Sequence, residues 1–165
     1  MRDLVAAGVA VLLLIIAASL ATTLTVYRKR RRWTRDHERS LGRTIIAEIP
    51  AEDELVLFTE DDRQFHYGSQ SVDKNAVAAV RVLINGVPIA ACVSKRHATD
   101  VPLSPTRFDD RPEGIARDRW DVAIERADGT TLVECGAIRE RISQELARAV
   151  FDAVKSDIER RDGAA

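Results

Sequence analysis

The residues with the greatest potential for catalysis lie close together, between positions 92 and 100. Cys92 and Ser94 are possible nucleophiles, and Lys95, His97 and Asp100 follow them as possible acid–base groups. Nucleophilic catalysis needs a base within hydrogen-bond reach and donors that stabilise an oxyanion. Because no nucleophile-elbow motif or glycine-built oxyanion hole accompanies these residues, we predict a protein without enzymatic activity. A small membrane-tethered hydrolase that uses Cys92 or Ser94 is the alternative.

Metal and cofactor sites have no clear signature either. The sequence contains no GxxxxGK or GxGxxG phosphate-binding pattern, and the pairs Asp61-Asp62 and Asp109-Asp110 lack the spacing of a calcium loop. His66 stands between two aromatic residues and is expected to be an ordinary surface or packed ring and not a metal ligand. Cys92 and Cys135 form no CxxC pair, and each lies in an apolar run that favours a buried, reduced thiol. We expect no metal and no cofactor.

An uncharged run near the start of the chain predicts a membrane anchor. Residues 4–27 contain no charged side chain, and as a helix they would extend about 36 Å, enough to cross a hydrocarbon core of about 30 Å. We therefore predict a transmembrane helix within residues 1–27. A cleaved secretory signal is the alternative, since Ser19-Leu20-Ala21 resembles a cleavage site, but a signal would carry its positive charge before the apolar run.

Basic residues directly after this run indicate its orientation. The predicted membrane-interface residues are Tyr27, Arg28, Lys29, Arg30, Arg31, Arg32 and Trp33. Cationic segments beside a spanning helix are retained in the cytoplasm, and aromatic residues favour the interface. The pattern predicts a single-pass protein of the cell membrane, with its N-terminus outside and its C-terminal domain in the cytoplasm.

Charge is divided sharply along the chain. The juxtamembrane stalk, residues 28–43, carries a net charge of +6, and residues 44–165 carry −7. An acidic body with few aromatic residues is not expected to bind nucleic acid. It should also be repelled from anionic lipid, although a lipid sensor that uses the stalk with Lys95, Arg96 and His97 is a second alternative.

Residues 44–94 have the alternating pattern of β-strands. The predicted strands are 44–49, 54–59, 64–67, 76–84 and 87–94. Asn85-Gly86 suits a type I′ turn, whose two central residues have positive φ. Pro88 has no N–H to donate, which predicts that the strand after the turn lies at a sheet edge or beside a bulge.

The stretch from Arg96 to Arg119 is rich in proline and charge and predicts a long surface loop. Connections of this length are uncommon in compact domains and often carry function. The candidate partner-binding residues are Lys95, Arg96, Arg107, Phe108 and Arg111. A solvated insertion with one short strand near Val101 is the alternative, and a strand edge or the flank of the last helix are two other possible binding surfaces.

The end of the sequence predicts a hairpin and then a helix. Trp120, Val122 and Ile124 alternate with polar or small residues, and Asp128-Gly129 turns the chain into a returning strand. From about Arg139 the period becomes 3.6. The predicted apolar stripe of the helix is Ile142, Leu146, Ala149, Val150, Ala153, Val154 and Ile158.

About seven strands in consecutive hairpins before one C-terminal helix resemble the pleckstrin-homology-like (PH-like) fold. The resemblance is carried by the hairpin at 120–133, the helix at 142–158 and Phe65-His66-Tyr67-Gly68. It implies an α+β domain at 44–161, an antiparallel β sandwich or barrel capped by an amphipathic helix, with a tail at 162–165. The whole chain then resembles membrane-anchored bacterial proteins that act as scaffolds or assembly factors.

Lipid-binding PH-like domains hold a phosphoinositide with a basic loop between their first two strands. The corresponding loop here is Pro50-Ala51-Glu52-Asp53-Glu54, whose three carboxylates would repel a phosphate. The expected function is therefore a non-enzymatic interaction or scaffold module at the cytoplasmic membrane face. Its expected partners are the bilayer and another membrane-associated protein or complex.

Overall fold

A computed structural model describes residues 2–51, 55–96 and 118–164, without the side chains of residues 2–11, 20, 21, 23, 24 and 27. The chain divides into two units, Met1–Leu41 and Gly42–Ala165, and we call the second unit the β domain. Several predictions fall outside the described residues. These are the predictions for Glu52, Asp53 and Glu54, for the Tyr27 side chain, for a strand near Val101, and for His97, Asp100, Arg107, Phe108 and Arg111.

The first unit is one helix, α1, Arg2–Ser40. It does not end with the apolar run but continues through most of the basic stalk. The Leu41 amide donates to the carbonyl of His37 over 3.2 Å, and Gly42 follows with φ +75°, the left-handed conformation that commonly ends a helix. Within the described parts of the chain, no helix combines the length and apolarity needed to cross a membrane.

The β domain begins with a four-stranded antiparallel sheet in the order β1-β2-β3-β4. Its strands are β1, Thr44–Pro50, β2, Leu55–Glu60, β3, Gln64–Tyr67, and β4, Gln70–Asp73. The first three agree with the prediction to within one residue at each end. The sequence prediction missed β4, in which Val72 is the only large apolar residue. Val72 is buried and pairs with Phe65 across the sheet.

A second four-stranded antiparallel sheet has the order β6-β5-β7-β8. Its strands are β5, Val77–Ile84, β6, Val87–Val93, β7, Arg119–Arg126, and β8, Gly129–Ala137. The predicted turn is confirmed, since Asn85 and Gly86 have φ of 52° and 79°. The prediction of about seven strands in consecutive hairpins fails at one step: eight strands are described, and β7 pairs with β5 instead of β6.

Helix α2, Arg141–Gly163, covers the core and confirms the predicted α+β domain with a C-terminal helix. It packs on β1, β5, β7 and β8 and buries Ala147, Val150, Val154 and Ile158 among the apolar residues of both sheets. Full burial of a valine or isoleucine side chain contributes about 1.5 to 3 kcal/mol. The helix runs on through Asp162 and Gly163, which the sequence placed in the tail.

The buried face of α2 overlaps the predicted stripe at Val150, Val154 and Ile158 but is rotated by part of a turn from it. Ile142, the first residue of that stripe, is 65% exposed, whereas the polar residues Ser143 and Asp157 are buried. At Gly136 of β8, an added Cβ would lie 2.6 Å from Ser143 Oγ, so the glycine permits the close approach of the helix. Asp157 accepts hydrogen bonds from Arg160 and, over 2.8 Å, from Arg161 Nε. These contacts allow α2 to bury a polar edge.

Candidate functional site

The β domain has an open groove of about 240 Å³ between strand β6 and helix α2, which we call the β6–α2 groove. Both elements are held by the core: Ala90 of β6 and Phe151 of α2 pack on it and are half-buried. The groove is lined by Val82, Ile89, Ala90, Trp120, Gln144, Ala147, Arg148, Phe151 and Asp152. Its lining is mainly apolar with a polar rim, the combination typical of a binding site.

Strand β6 forms one wall of the groove and is also a sheet edge. Among the described residues its one strand neighbour is β5, and the other side of its backbone pairs with no described strand. The register pairs Leu83 with Pro88 and Val82 with Ala90, which leaves Ile89 as the extra residue of a bulge. Bulges re-aim side chains, and Ile89 is 54% exposed at the groove. The prediction from Pro88, a sheet edge or a bulge, is confirmed, since both alternatives hold among the described strands.

The groove lining also includes two large aromatic side chains, Trp120 and Phe151. Trp120 Nε1 donates to the carbonyl oxygen of Ile138 over 3.3 Å, which fixes the indole ring at the start of β7. Phe151 follows Ala147 by one turn on α2, so both side chains face the same way. A tryptophan and a phenylalanine together give a large apolar contact area at little cost in side-chain entropy.

The rim contributes charges that have no partner within the described residues. Arg148 and Asp152 are four residues apart on α2 and are exposed, yet neither takes part in an ion pair there. Elsewhere on the same helix, Arg141 pairs with Glu145 over 3.1 Å and Lys155 with Glu159 over 3.7 Å. Arg148 and Asp152 are therefore available to polar groups of a ligand.

A cluster of hydrogen bonds joins the end of β6 to the last turn of α2, and we call it the β6–α2 clasp. The Ser94 hydroxyl donates to Asp162 Oδ1 and the Lys95 amide donates to Oδ2, each over 2.8 Å. The Arg96 guanidinium donates to the carbonyl oxygen of Arg161. Of the five predicted partner-binding residues, the structure thus describes Lys95 and Arg96, and both contact the protein's own helix.

The clasp also bears on the hydrolase alternative. The Lys95 amide, and then the Ser94 hydroxyl, lower the pKa of Asp162. A carboxylate with a lowered pKa is a weak base, so Asp162 is poorly suited to take the Ser94 proton. Burial raises the pKa of the half-buried Cys92 thiol and that of buried Cys135, the latter to about 12. Neither thiol has the lowered pKa of a reactive cysteine.

His66 and Asp61 form a further polar pair. His66 is buried, and its Nε2 lies 2.8 Å from Asp61 Oδ2. This contact and the amides of Arg63 and Gln64 lower the pKa of Asp61 to about 2. The pair fixes the turn between β2 and β3. In the described parts of the chain, no group of three or more histidine, cysteine or acidic residues could hold a metal ion.

In α1, the predicted interface residues Arg28, Lys29, Arg30, Arg31 and Arg32 are all exposed. Trp33 is 68% exposed, and its ring stacks on that of His37 with centroids 5.5 Å apart. Earlier in the helix, the consecutive apolar residues Leu12 to Ile16 are all exposed, by 46% to 69%.

None of the protein-family models, curated proteins or solved structures compared with this chain matches it. The groove was only partly visible in the sequence. Pro88 predicted the strand edge, and the helix flank was one of the surfaces proposed for binding. In the sequence, Trp120 and Phe151 look like ordinary core residues. No local pattern indicates that β7 pairs with β5 and packs on α2.

Proposed function

We propose that this chain is a single-pass membrane protein whose β domain binds another membrane-associated protein, without catalysis, at the cytoplasmic face. The observation that carries the proposal is the β6–α2 groove, in which an apolar cleft lies beside a strand whose outer edge pairs with no described strand. The bound segment is an extended one. Its backbone pairs with β6, and one apolar side chain enters the groove.

The membrane anchor is supported by the sequence and by the surface of α1. Residues 4–27 are uncharged, and the five consecutive side chains from Leu12 to Ile16 are apolar and exposed. Five consecutive positions point to every side of a helix, so no single protein partner on one face would cover them. Lipid covers all sides, and the arginines that follow favour a cytoplasmic C-terminus.

Strand addition is supported by the composition of β6. Pro88 and the bulge at Ile89 protect the first half of the edge, because a proline cannot donate and a bulge interrupts the ladder. The second half, from Ala90 to Val93, carries no charge and no proline. A partner strand that pairs there continues along β6 toward Ile89 and Ala90, which line the groove, and the groove selects its side chains.

The PH-like resemblance also favours a binding module. Two antiparallel sheets with a C-terminal helix are consistent with it, although the eight described strands and the β5–β7 pairing depart from the predicted pattern. A fold alone does not define function, and the argument rests on the groove. Tethering the domain beside the membrane raises its effective concentration toward a membrane-bound partner to the order of millimolar.

The test is site-specific photocrosslinking in intact membranes. A photoreactive amino acid replaces Gln144, at the rim of the groove, and in a matched variant it replaces the neighbouring exposed Glu145, which does not line it. We expect a discrete adduct from position 144 and little from position 145. Adding Ile89→Asp puts a charge in the apolar wall, and we expect it to lower the adduct from position 144 about tenfold.

Two results would contradict the proposal. Equal labelling from positions 144 and 145 would show that the groove is not the contact surface. An unchanged adduct in the Ile89→Asp chain would show that the apolar wall does not contact the partner.

Membrane sidedness is tested separately. Protease added to sealed cells should leave the β domain intact, and its digestion would overturn the cytoplasmic placement without bearing on the groove.

A further inference from the structure

Strand β6 and helix α2 run side by side in the same direction. Ala90 of β6 lines the groove together with Ala147 and Phe151 of α2. Four residues further along the strand, the Ser94 hydroxyl donates to Asp162 Oδ1. Each step along β6 is therefore also a step along α2, and one flank of the helix follows the second half of the strand.

Four charged side chains of alternating sign lie on this flank, and we call them the charge row. They are Arg148, Asp152, Lys155 and Glu159. Their spacing of 4, 3 and 4 residues keeps them within a sector of about 60° around the helix. Arg148 and Asp152 line the groove. The pKa of Cys92 in β6 is raised mainly by burial but also responds to the charges of Glu159 and Lys155, so this half of the row lies near β6 too.

The order of signs in the charge row is its own complement. From the N-terminal end it is plus, minus, plus, minus, and a second row laid antiparallel beside it presents minus, plus, minus, plus. Arg148 then faces Glu159 of a second copy, and Asp152 faces its Lys155. Both pairs are centred on the same point of the helix, halfway between Asp152 and Lys155, as a two-fold axis requires.

The ion pairs already present on α2 are compatible with this arrangement. Among the described residues, Arg148 and Asp152 take part in no ion pair. Lys155 pairs with Glu159 over 3.7 Å, with side chains 42% and 61% exposed. Lysine has three N–H donors and a carboxylate has two oxygens, so each can keep this partner and accept another.

The backbone of β6 also has a point of symmetry beside the middle of the charge row. The Ser94 amide donates to the Ala78 carbonyl of β5 over 2.8 Å, and the hydrogen-bonding groups of successive residues point to opposite sides of a strand. The N–H and C=O groups of Ala91 and Val93 therefore point away from β5, toward the edge that pairs with no described strand. When Ala91 pairs with Ala91 of a second copy, the two residues exchange both hydrogen bonds and Val93 lies opposite Ile89.

We propose that β6 and the charge row form an interface between two copies of this chain, related by a two-fold axis at Ala91. The β6 strands pair antiparallel, and Cys92 of each copy is the small apolar side chain that lies opposite Ala90 of the other at the groove. The inference rests on the proposed function and names its partner, because the membrane-associated protein bound at the groove is a second copy. Two chains anchored in one bilayer meet at a high effective concentration, so a small interface is sufficient.

The first experiment places a reactive group on the two-fold axis of the full chain in isolated membranes. Ala91→Cys brings two thiols together, and a short bismaleimide reagent should join them into a covalent dimer. Cys92→Ala is included in every variant, so that the neighbouring native thiol does not react. The matched control is Ser71→Cys, an exposed position on β4 of the other sheet, and we expect it to give about tenfold less dimer.

The second experiment reverses the charge row in two halves, each in the Ala91→Cys chain. Arg148→Glu with Asp152→Lys places like charges opposite one another, so we expect about tenfold less dimer. Adding Lys155→Glu and Glu159→Lys reverses the other half, restores the alternation of signs and should restore the dimer. A quadruple variant that regains the dimer excludes misfolding as the cause of the loss in the double variant.

Three results would overturn the inference. They are equal crosslinking from positions 91 and 71, an unchanged dimer in Arg148→Glu with Asp152→Lys, and a quadruple variant that crosslinks as poorly as the double variant. A photoadduct from position 144 that contains a different protein would also overturn it and would leave the proposed function intact. The absence of a groove-specific photoadduct would instead refute the proposed function on which the inference rests.

Discussion

The apolar side chains of α1 and those of the β domain are of the same types but have opposite surroundings. In α1, the leucines and isoleucines from Leu12 to Ile16 are exposed on consecutive positions. In the β domain, residues such as Phe65, Ile124 and Val150 are completely buried between the sheets and α2. The β domain covers its own apolar side chains, whereas those from Leu12 to Ile16 are left uncovered. Under the proposed membrane anchoring, lipid covers them.

The sequence patterns differ for the same reason. A residue that faces a protein core on one side alternates with polar neighbours, at a period of two in β7 and of about 3.6 in α2. A residue surrounded by lipid has no polar side, and residues 4–27 show no such alternation. The presence or absence of a polar face thus distinguishes the two kinds of apolar segment, and each half of the contrast can be tested.

The largest expected effect comes from charging the apolar part of α1. Leu13→Arg with Ile16→Arg should disfavour insertion by roughly 3 kcal/mol for each substitution, since arginine is costly at the centre of a bilayer. We expect the variant to leave the membrane fraction on alkaline carbonate extraction. Leu13→Ala with Ile16→Ala should stay in the pellet. Equal extraction of both variants would show that α1 is not surrounded by lipid.

The β domain should respond most strongly to a cavity in its core. Ile124 of β7 is fully buried, and Ile124→Ala should lower the free energy of unfolding by about 2 to 5 kcal/mol. The exposed Ile142 is the matched control, with an expected change within about 0.5 kcal/mol for Ile142→Ala. Denaturant unfolding of the detergent-solubilised chain, followed by Trp120 fluorescence in a Trp33→Phe background, measures both. Similar losses of unfolding free energy in Ile124→Ala and Ile142→Ala would contradict the assignment of Ile124 to the core.

The smallest expected effect is a change of stability with pH that is confined to the β domain. The pKa of Asp61 is lowered to about 2 by His66 and two amides, so its ionised form stabilises the fold above pH of about 4. That contribution, about 1 kcal/mol for this partly exposed group, is lost as the pH falls toward about 2. Asp61→Asn should therefore be less stable than wild type near neutral pH and equal to it in acid.

Denaturation midpoints at several pH values measure this difference. A constant difference between wild type and Asp61→Asn across the range would assign the effect to packing instead of charge. The association of α1 with the membrane should not change in either protein over the same pH range, because residues 4–27 contain no acidic, basic or histidine side chain.

Local patterns predicted most strands correctly because each depends on neighbouring residues. Asn85-Gly86 and Asp128-Gly129 define turns by their backbone preferences, and the alternation in β7 follows from one buried face. Strand β4 was missed because Gln70, Ser71 and Asp73 are polar and exposed. It is stabilised by pairing with β3 and by the burial of Val72 alone.

The errors in pairing and helix orientation arise from contacts between residues distant in sequence. Nothing near β7 indicates that it pairs with β5 across a gap of 34 residues between Ile84 and Arg119. The rotation of α2 depends on Gly136, which admits Ser143, and on Arg161, which pairs with the buried Asp157. The β6–α2 groove exists only because of these long-range contacts, so its residues could not be identified from periodicity.

The β6–α2 clasp has a practical consequence for labelling the protein. It secures Arg96 to the last turn of α2, while on the far side of positions 97–117 the carbonyl of Asp118 accepts from the Ile138 amide over 2.7 Å. A label attached at Arg96 would therefore disturb the contact with α2, whereas one at the exposed Glu145 of α2 should leave the fold unchanged.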